Sequence, residues 1–347
     1  MFKQWAVVVF LVAIALVWGT TAGAPPQAAA PIKVGVSPVV SSAGFYLAKL
    51  RGYFDEQGVN VELLSFGGSG PEIIPFVASN QFQVGGGSVS PGMFNAIAQG
   101  NEVKIVADKA KIDPDDAHDA FLVRQDHIDS GRYRTPADLK GMTIGLASKG
   151  RTNILVIGLE RMLKKHGLTL NDVELVGAPF PTQLAALNGK RIDAACSIEP
   201  FVAKAEQAKL AKRVWGYEEV TPGFQVAVVF YSPRFAKERR ADAEKFMIAY
   251  IKGLRDYINA FRYGIGTESV IADLAKVLKV KDKSLYRRMR VTGFDPNGGV
   301  DKQSIAEAQD WFAAQGLIPH TVKVDGIVDD SFWKKAVEVL GDFQPPK

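Results

Sequence analysis

One cysteine, Cys196, and four histidines in 347 residues exclude several chemistries at the outset. A single thiol can build neither an internal disulfide framework nor a cysteine-based metal cluster. His118, His127, His166 and His320 are scattered, with no HExxH pair and no near-neighbour spacing for a metal, so each reads as a surface or packing residue. There is no G-x-S-x-G nucleophile elbow and no P-loop. Asp113, Asp115, Asp116 and Asp119 cluster, but the sixth and twelfth places counted from Asp113 hold His118 and Arg124, where a calcium loop needs Gly and Glu. That cluster reads as a solvated connector. No catalytic residue, metal or cofactor is expected, and the chain does not read as an enzyme. The net charge of +5 is mild, and the Lys and Arg read as dispersed, with no basic run interleaved with aromatics. Nucleic acid is therefore not an expected partner.

Long apolar runs are also scarce. One stands out, Ala6 to Trp18, with Lys3 before it and small residues from Gly19 to Ala24 after it. This is the layout of a secretory signal peptide, and the run is short for a membrane span. The expectation is a signal over residues 1–22, cleaved near Ala22, and a soluble exported protein; an uncleaved anchor is the alternative. About 320 remaining residues are enough for two lobes of ordinary domain size.

The mature part alternates β-branched runs with helical patterns. Strands are expected over Ile32–Val36, Val59–Leu64, Phe82–Gly86, Val103–Ala107, Ala120–Val123, Met142–Leu146, Val173–Val176 and Ile192–Ala195. Helices are expected over Gly44–Leu50, Pro71–Ala78, Pro91–Ala98, Ile154–Lys165 and Pro181–Leu187. This β-α rhythm implies an α/β fold with largely parallel sheets covered by helices. From Pro233 the chain turns mostly helical. Phe246, Tyr250, Leu254, Tyr257, Ile258 and Phe261 form a stripe that must cover something. Val61-Glu62-Leu63 to Ser88-Val89-Ser90-Pro91 is echoed by Val173-Glu174-Leu175 to Ser197-Ile198-Glu199-Pro200, either by chance or because two similar lobes face a cleft.

Five segments put small, polar or Gly-rich residues at the carboxyl end of a strand before a helix: 37–44, 67–70, 85–90, 148–152 and 197–200. Ligands of open α/β sheets bind there, and helix N-termini favour anions. Each turn alone is better explained by N-capping. Together they nominate Ser37, Ser41, Ser42, Phe45, Gly68, Ser69, Ser88, Ser90, Ser148, Arg151, Thr152, Glu199 and Phe224 as ligand-binding residues. Lys149 and Arg151 favour an anion, a sulfonate or carboxylate. Aromatic or pyrimidine ligands stay open through Phe45, Tyr46, Phe180, Phe201 and Phe224.

Several stretches resemble the nitrate/sulfonate/taurine-type solute-binding proteins of ABC importers, relatives of the thiamine-pyrimidine-synthase-like family. They are Gly52-Tyr53-Phe54 with Gly58 to Glu62, the turn at 67–70, Val103 to Ala107, Thr135 to Gly141, Gly167-Leu168 with Asp172 to Leu175, and Ala185 through Asp193 to Phe201. The family's aspartate before the second turn stands here as Asp193; its first-lobe counterpart is Gln83. The resemblance implies a two-lobed type II periplasmic binding fold, each lobe a mixed, largely parallel sheet flanked by helices. Lobe one would take residues 32–111 and 232–347, and lobe two 112–231. It also implies a monomer in the periplasm that captures a small solute between the lobes. That solute would pass to a membrane permease served by a cytoplasmic ATPase. The alternatives are a thiamine-pyrimidine-synthase-like enzyme, whose cysteine-rich cluster and reactive histidine find no counterpart here, and a sensor domain for a membrane signalling protein.

Overall fold

The computed structural model describes residues 30–67, 70–115 and 117–346. The expected signal segment, Gly68, Ser69 and Asp116 lie outside them. Ten strands form two five-stranded sheets: β1 (Ile32–Val36), β2 (Val61–Ser65), β3 (Val84–Ser88), β4 (Lys104–Lys111), β5 (Asp119–Arg124), β6 (Thr143–Leu146), β7 (Glu174–Gly177), β8 (Ala194–Ile198), β9 (Ala211–Gly216) and β10 (Gln225–Tyr231). The first sheet has the order β2-β1-β3-β10-β4 and the second β7-β6-β8-β5-β9.

In each sheet four strands run one way and one runs against them. β10 is antiparallel to β3 and β4, and β5 is antiparallel to β8 and β9. Both reversed strands are where the chain has just crossed from the other sheet. The expected mixed, largely parallel α/β lobes are therefore present. The echoed segments occupy equivalent positions, β2 with β7 at an edge and β3 with β8 at the centre.

Three details depart from the sequence reading. β10 belongs to the first sheet, so the return crossing lies before Gln225 and not at residue 231. β4 runs on to Lys111 and is buried over most of its length. β9, Ala-Lys-Arg-Val-Trp-Gly, carried two cations in a short run and was not expected as a strand; an edge strand tolerates such residues on its open side. At the crossings the two chain segments bond to each other, Ile112 N–H to Phe224 O at 2.8 Å and Gly223 N–H to Ile112 O at 2.9 Å.

The aromatic stripe lies on the helix Arg240–Tyr263 and buries Phe246, Tyr250, Leu254, Tyr257 and Ile258. It packs on the helix Ala43–Leu50, which follows β1. The contact is close because two glycines meet it: a Cβ on Gly253 would stand 2.4 Å from the Gly44 carbonyl oxygen. The ring of Tyr250 lies 4.6 Å from that of Phe45, and its hydroxyl donates to the Asp108 carbonyl at 2.9 Å. Burial of this stripe thus fixes the helix behind Ser41 and the strand that carries Lys109.

Candidate functional site between the lobes

The carboxyl ends of the strands meet at a cavity of about 30 Å³. At ~10–15 Å³ per water this is room for about two waters. From the first lobe it is lined by Ser37 after β1, Val39, Ser41, Ser88 at the end of β3, Lys109 and Ala110 of β4, and Val226 and Ala227 of β10. The second lobe supplies His118, Asp119, the helix start at Asn153 to Leu155, Phe180 and Ile198.

Lys109 is 2 % exposed, and its Nζ donates to Ser41 Oγ at 3.1 Å. Its stem crosses Gly86, where an added Cβ would sit 3.0 Å from Lys109 Cδ and Cε and 2.6 Å from the Phe45 ring. A glycine inside β3 is what lets an ammonium lie flat against the sheet. Burial lowers the Lys109 pKa to about 8 against the opposing pull of Asp108 and Asp119. One of its three donors is engaged by Ser41, and the residue lines the cavity.

Across the cavity, Asp119 opens β5 and is 2 % exposed, with His118 1 % exposed beside it. His118 Nδ1 and Asp119 Oδ2 stand 3.0 Å apart, yet neither makes a geometrically sound hydrogen bond. Burial raises the Asp119 pKa to about 8, while Arg213 and Lys109 oppose it. Burial, and then the charges of Lys109 and Arg213, hold His118 down to about 3, so the ring is neutral at ordinary pH. Buried polar atoms without partners cost about 1–3 kcal/mol each, and a ligand group that met them would recover that cost. The second lobe adds the amino end of the helix Leu155–Lys165, with Asn153 Oδ1 accepting from Leu155 N–H at 2.9 Å.

Of the residues nominated from sequence, Ser37, Ser41 and Ser88 line the cavity. Ser42 and Phe45 are buried behind it, and Ser90 caps the helix Pro91–Ala98 by accepting from Met93 N–H at 3.4 Å. Ser148 and Thr152 bond to each other at 3.4 Å within their turn, and Thr152 also donates to Lys149 O. Arg151, expected to meet an anion, is spent on Gln315 at 2.5 Å and Asn171 at 2.6 Å; Lys149 is exposed. Phe224 lies under Arg161, whose guanidinium carbon is 5.7 Å from the ring centre. Gly68 and Ser69 fall outside the described residues.

Glu199 lies outside the cavity lining. Its carboxylate accepts from Ala203 N–H at 3.1 Å and from Arg290 N–H of the other lobe at 3.2 Å, and burial pushes its pKa to about 7. It is a clasp between lobes, together with Arg151–Gln315, Trp311 to Glu160 at 2.7 Å, Gln207 to Asp282 at 2.7 Å, and Arg161 with Glu307. The lobes are closed on each other.

Sequence reading missed Lys109, His118 and Asp119. It ended β4 at Ala107 and took 111–119 as a solvated connector, whereas Asp113, Ala117, His118 and Asp119 are all buried. The available signal was Asp108-Lys109 inside a run that stays apolar on both sides, Ile105 to Ala107 and then Ala110 and Ile112.

A family model described as NMT1/THI5 like matches residues 40–260. No curated protein matches by sequence. Among solved structures, the alkanesulfonate-binding protein SsuA from Xanthomonas axonopodis pv. citri, bound to MOPS, superposes with a TM-score of 0.69 at 19% identity, covering 87% of this chain and 98% of that one. The periplasmic nitrate-binding protein NrtA from Synechocystis PCC 6803 gives 0.73 at 13%, covering 90% and 89%. The periplasmic aliphatic sulphonate binding protein SsuA from Escherichia coli gives 0.66 at 17%, covering 88% and 99%. At these identities the likeness establishes the periplasmic binding protein fold.

Proposed function

The chain belongs to the NMT1/THI5-like family, and from that premise we propose that it is the solute-binding component of an ABC-type importer. It would be exported, lose residues 1–22 and work as a monomer in the periplasm. There it would deliver a small organic acid to a membrane permease with a cytoplasmic ATPase. The observation that carries this reading is the closed interlobe cavity with a buried ammonium, Lys109, amid serine hydroxyls. A carboxylate or sulfonate would sit on Lys109, Ser41 and Ser37 in charge-assisted hydrogen bonds.

The opposite wall refines the ligand. Asp119 and His118 bring acceptor and donor capacity, so the best fit is an acid that also carries a hydrogen-bonding nitrogen. A cavity this small must open to admit any organic solute, and the paired crossings at Ile112 and Gly223–Phe224 supply two short hinges. The one thiol, Cys196, is buried and pushed up to about 12, which suits packing and not nucleophilic work.

A thermal-shift screen of sulfonates, carboxylates, amino acids, ureas, amines and pyrimidines tests the reading. One ligand class should raise Tm without being consumed. At 100 times Kd the gain is about 2.7 kcal/mol, and each kcal/mol is worth about 2 °C or somewhat less for a protein of this size. Turnover of the stabilising compound by purified protein would overturn the binding role.

A further inference from the structure

The positive charge of this protein is gathered in one place that the sequence reading took as dispersed. Residues 276–290 contain Lys276, Lys279, Lys281, Lys283, Arg287, Arg288 and Arg290 against one acid, Asp282. That segment alone holds more net positive charge than the +5 of the whole chain, so the remainder is close to neutral. All seven cations are exposed. Lys276 pairs with Asp273 at 3.0 Å and Arg287 with Glu268, but Lys279, Lys281, Lys283 and Arg288 form no ion pair among the described residues. Asp282 is occupied elsewhere, accepting from Ser284 and, across the seam, from Gln207.

The fold presents these charges on a firm base. Leu274, Leu278, Val280, Leu285 and Tyr286 are buried beneath the segment, so its polar side chains can point only outward. Arg287, Arg288 and Arg290 continue into a groove whose far wall is Arg213 with Glu206 and Glu199 of the second lobe. Among the described residues the exposed large apolar side chains, Leu50, Tyr263, Ile265 and Val339, all lie outside this segment. A protein interface needs a desolvated aromatic or aliphatic anchor at its centre, and this face offers only the half-buried Val277 and Met289. Exposed lysines without an ion-pair partner or a large exposed anchor suit a diffuse polyanion, for which the gain adds per charge and vanishes with salt.

We propose that this face adsorbs the protein reversibly to an anionic phospholipid surface, without insertion. The test is co-sedimentation of the full-length mature protein with phosphatidylcholine vesicles, with and without phosphatidylglycerol, at low and at high salt. Binding is expected to the anionic vesicles alone and to be released by salt. The K279E/K281E/K283E/R288E variant should lose more than about tenfold in vesicle affinity while its melting temperature stays with the parent's. No sedimentation at low salt, or equal sedimentation of the variant, overturns the proposal. Retention solely by vesicles carrying an acidic membrane protein overturns it too and assigns the patch to a protein partner.

Discussion

The two sheets share a strand order but not a chemistry, and the place where they agree best is at the end of the central strands away from the cavity. Before the central strand of each lobe one polar side chain pins the neighbouring strand. Asp193 accepts from Thr143 N–H at 3.0 Å, and Gln83 accepts from Lys33 N–H at 2.9 Å. The backbones repeat the link, Asp193 N–H to Thr143 O and Gln83 N–H to Lys33 O. Gln83 therefore makes in the first lobe the contact that Asp193 makes in the second. The lobes part company at the other end of the same strands. β3 reads Val-Gly-Gly-Gly-Ser, and its missing side chains admit Phe230 at Gly85 on one face and Phe45 with the Lys109 stem at Gly86 on the other; β8 reads Ala-Ala-Cys-Ser-Ile and is braced by Gln183 Nε2, which donates to Cys196 O at 3.0 Å. One wall of the cleft is cationic and hydroxylated, the other carries Asp119 and His118. Equal topology sets where a cleft forms, and unequal side chains set what it holds.

The sharpest way to break this contrast is to remove the first lobe's charge. Lys109→Met keeps the stem and deletes the ammonium. Calorimetry should show affinity for an acidic ligand falling roughly ten- to a hundredfold, the worth of a charged hydrogen bond of about 1.5–3 kcal/mol. Stability should hold or rise, because burial costs the Lys109 ammonium more than Asp108 and Asp119 return. An unchanged affinity would move the anion seat to the second lobe.

A smaller effect follows from pH. Lys109 is an ammonium below its pKa of about 8 and loses its charge above it, while Asp119 gains a negative charge over the same range. Both changes oppose an acid. Affinity should be level from weakly acidic to neutral pH and then weaken above 8, by up to about tenfold per pH unit for each of the two groups and so up to about a hundredfold when both act. His118, held neutral down to about 3, contributes nothing to that window. A flat profile to pH 10 would show that neither group meets the ligand.

The third comparison sets the central strands against each other by denaturant unfolding. Gly86→Ala must displace the Phe45 ring or the Lys109 stem and should cost about 1–3 kcal/mol with a parallel loss of ligand affinity. Ala195→Gly in β8 should cost about 0.5–1 kcal/mol, the usual backbone penalty, and leave affinity alone. Equal costs and equal binding would mean that the glycines of β3 do not serve the site.

Much of the fold was readable because periodicity reports burial directly. Ile32–Val36 and Pro91–Ala98 have the bounds expected from pattern alone, and the stripe from Phe246 to Ile258 is covered as its spacing demanded. The site was less legible. Ser37, Ser41 and Ser88 followed from the rule that ligands gather at strand ends, but Arg151 and Glu199, equally plausible by that rule, are held by Gln315 and by the Ala203 and Arg290 amides. Gln315 and Arg290 lie 164 and 91 residues away, Asn171 and Ala203 being the nearer partners, and no local pattern announces the distant ones.

By itself the sequence determined the α/β rhythm, the two-lobed plan and the strand-end turns, since each depends on residues within a few positions of one another. Tertiary structure alone decided which side chains face the cleft. Lys109 and Asp119 belong to different sheets, and the charge each carries depends on how much water the packing excludes around it. Burial of that kind is a property of the closed lobes as a whole.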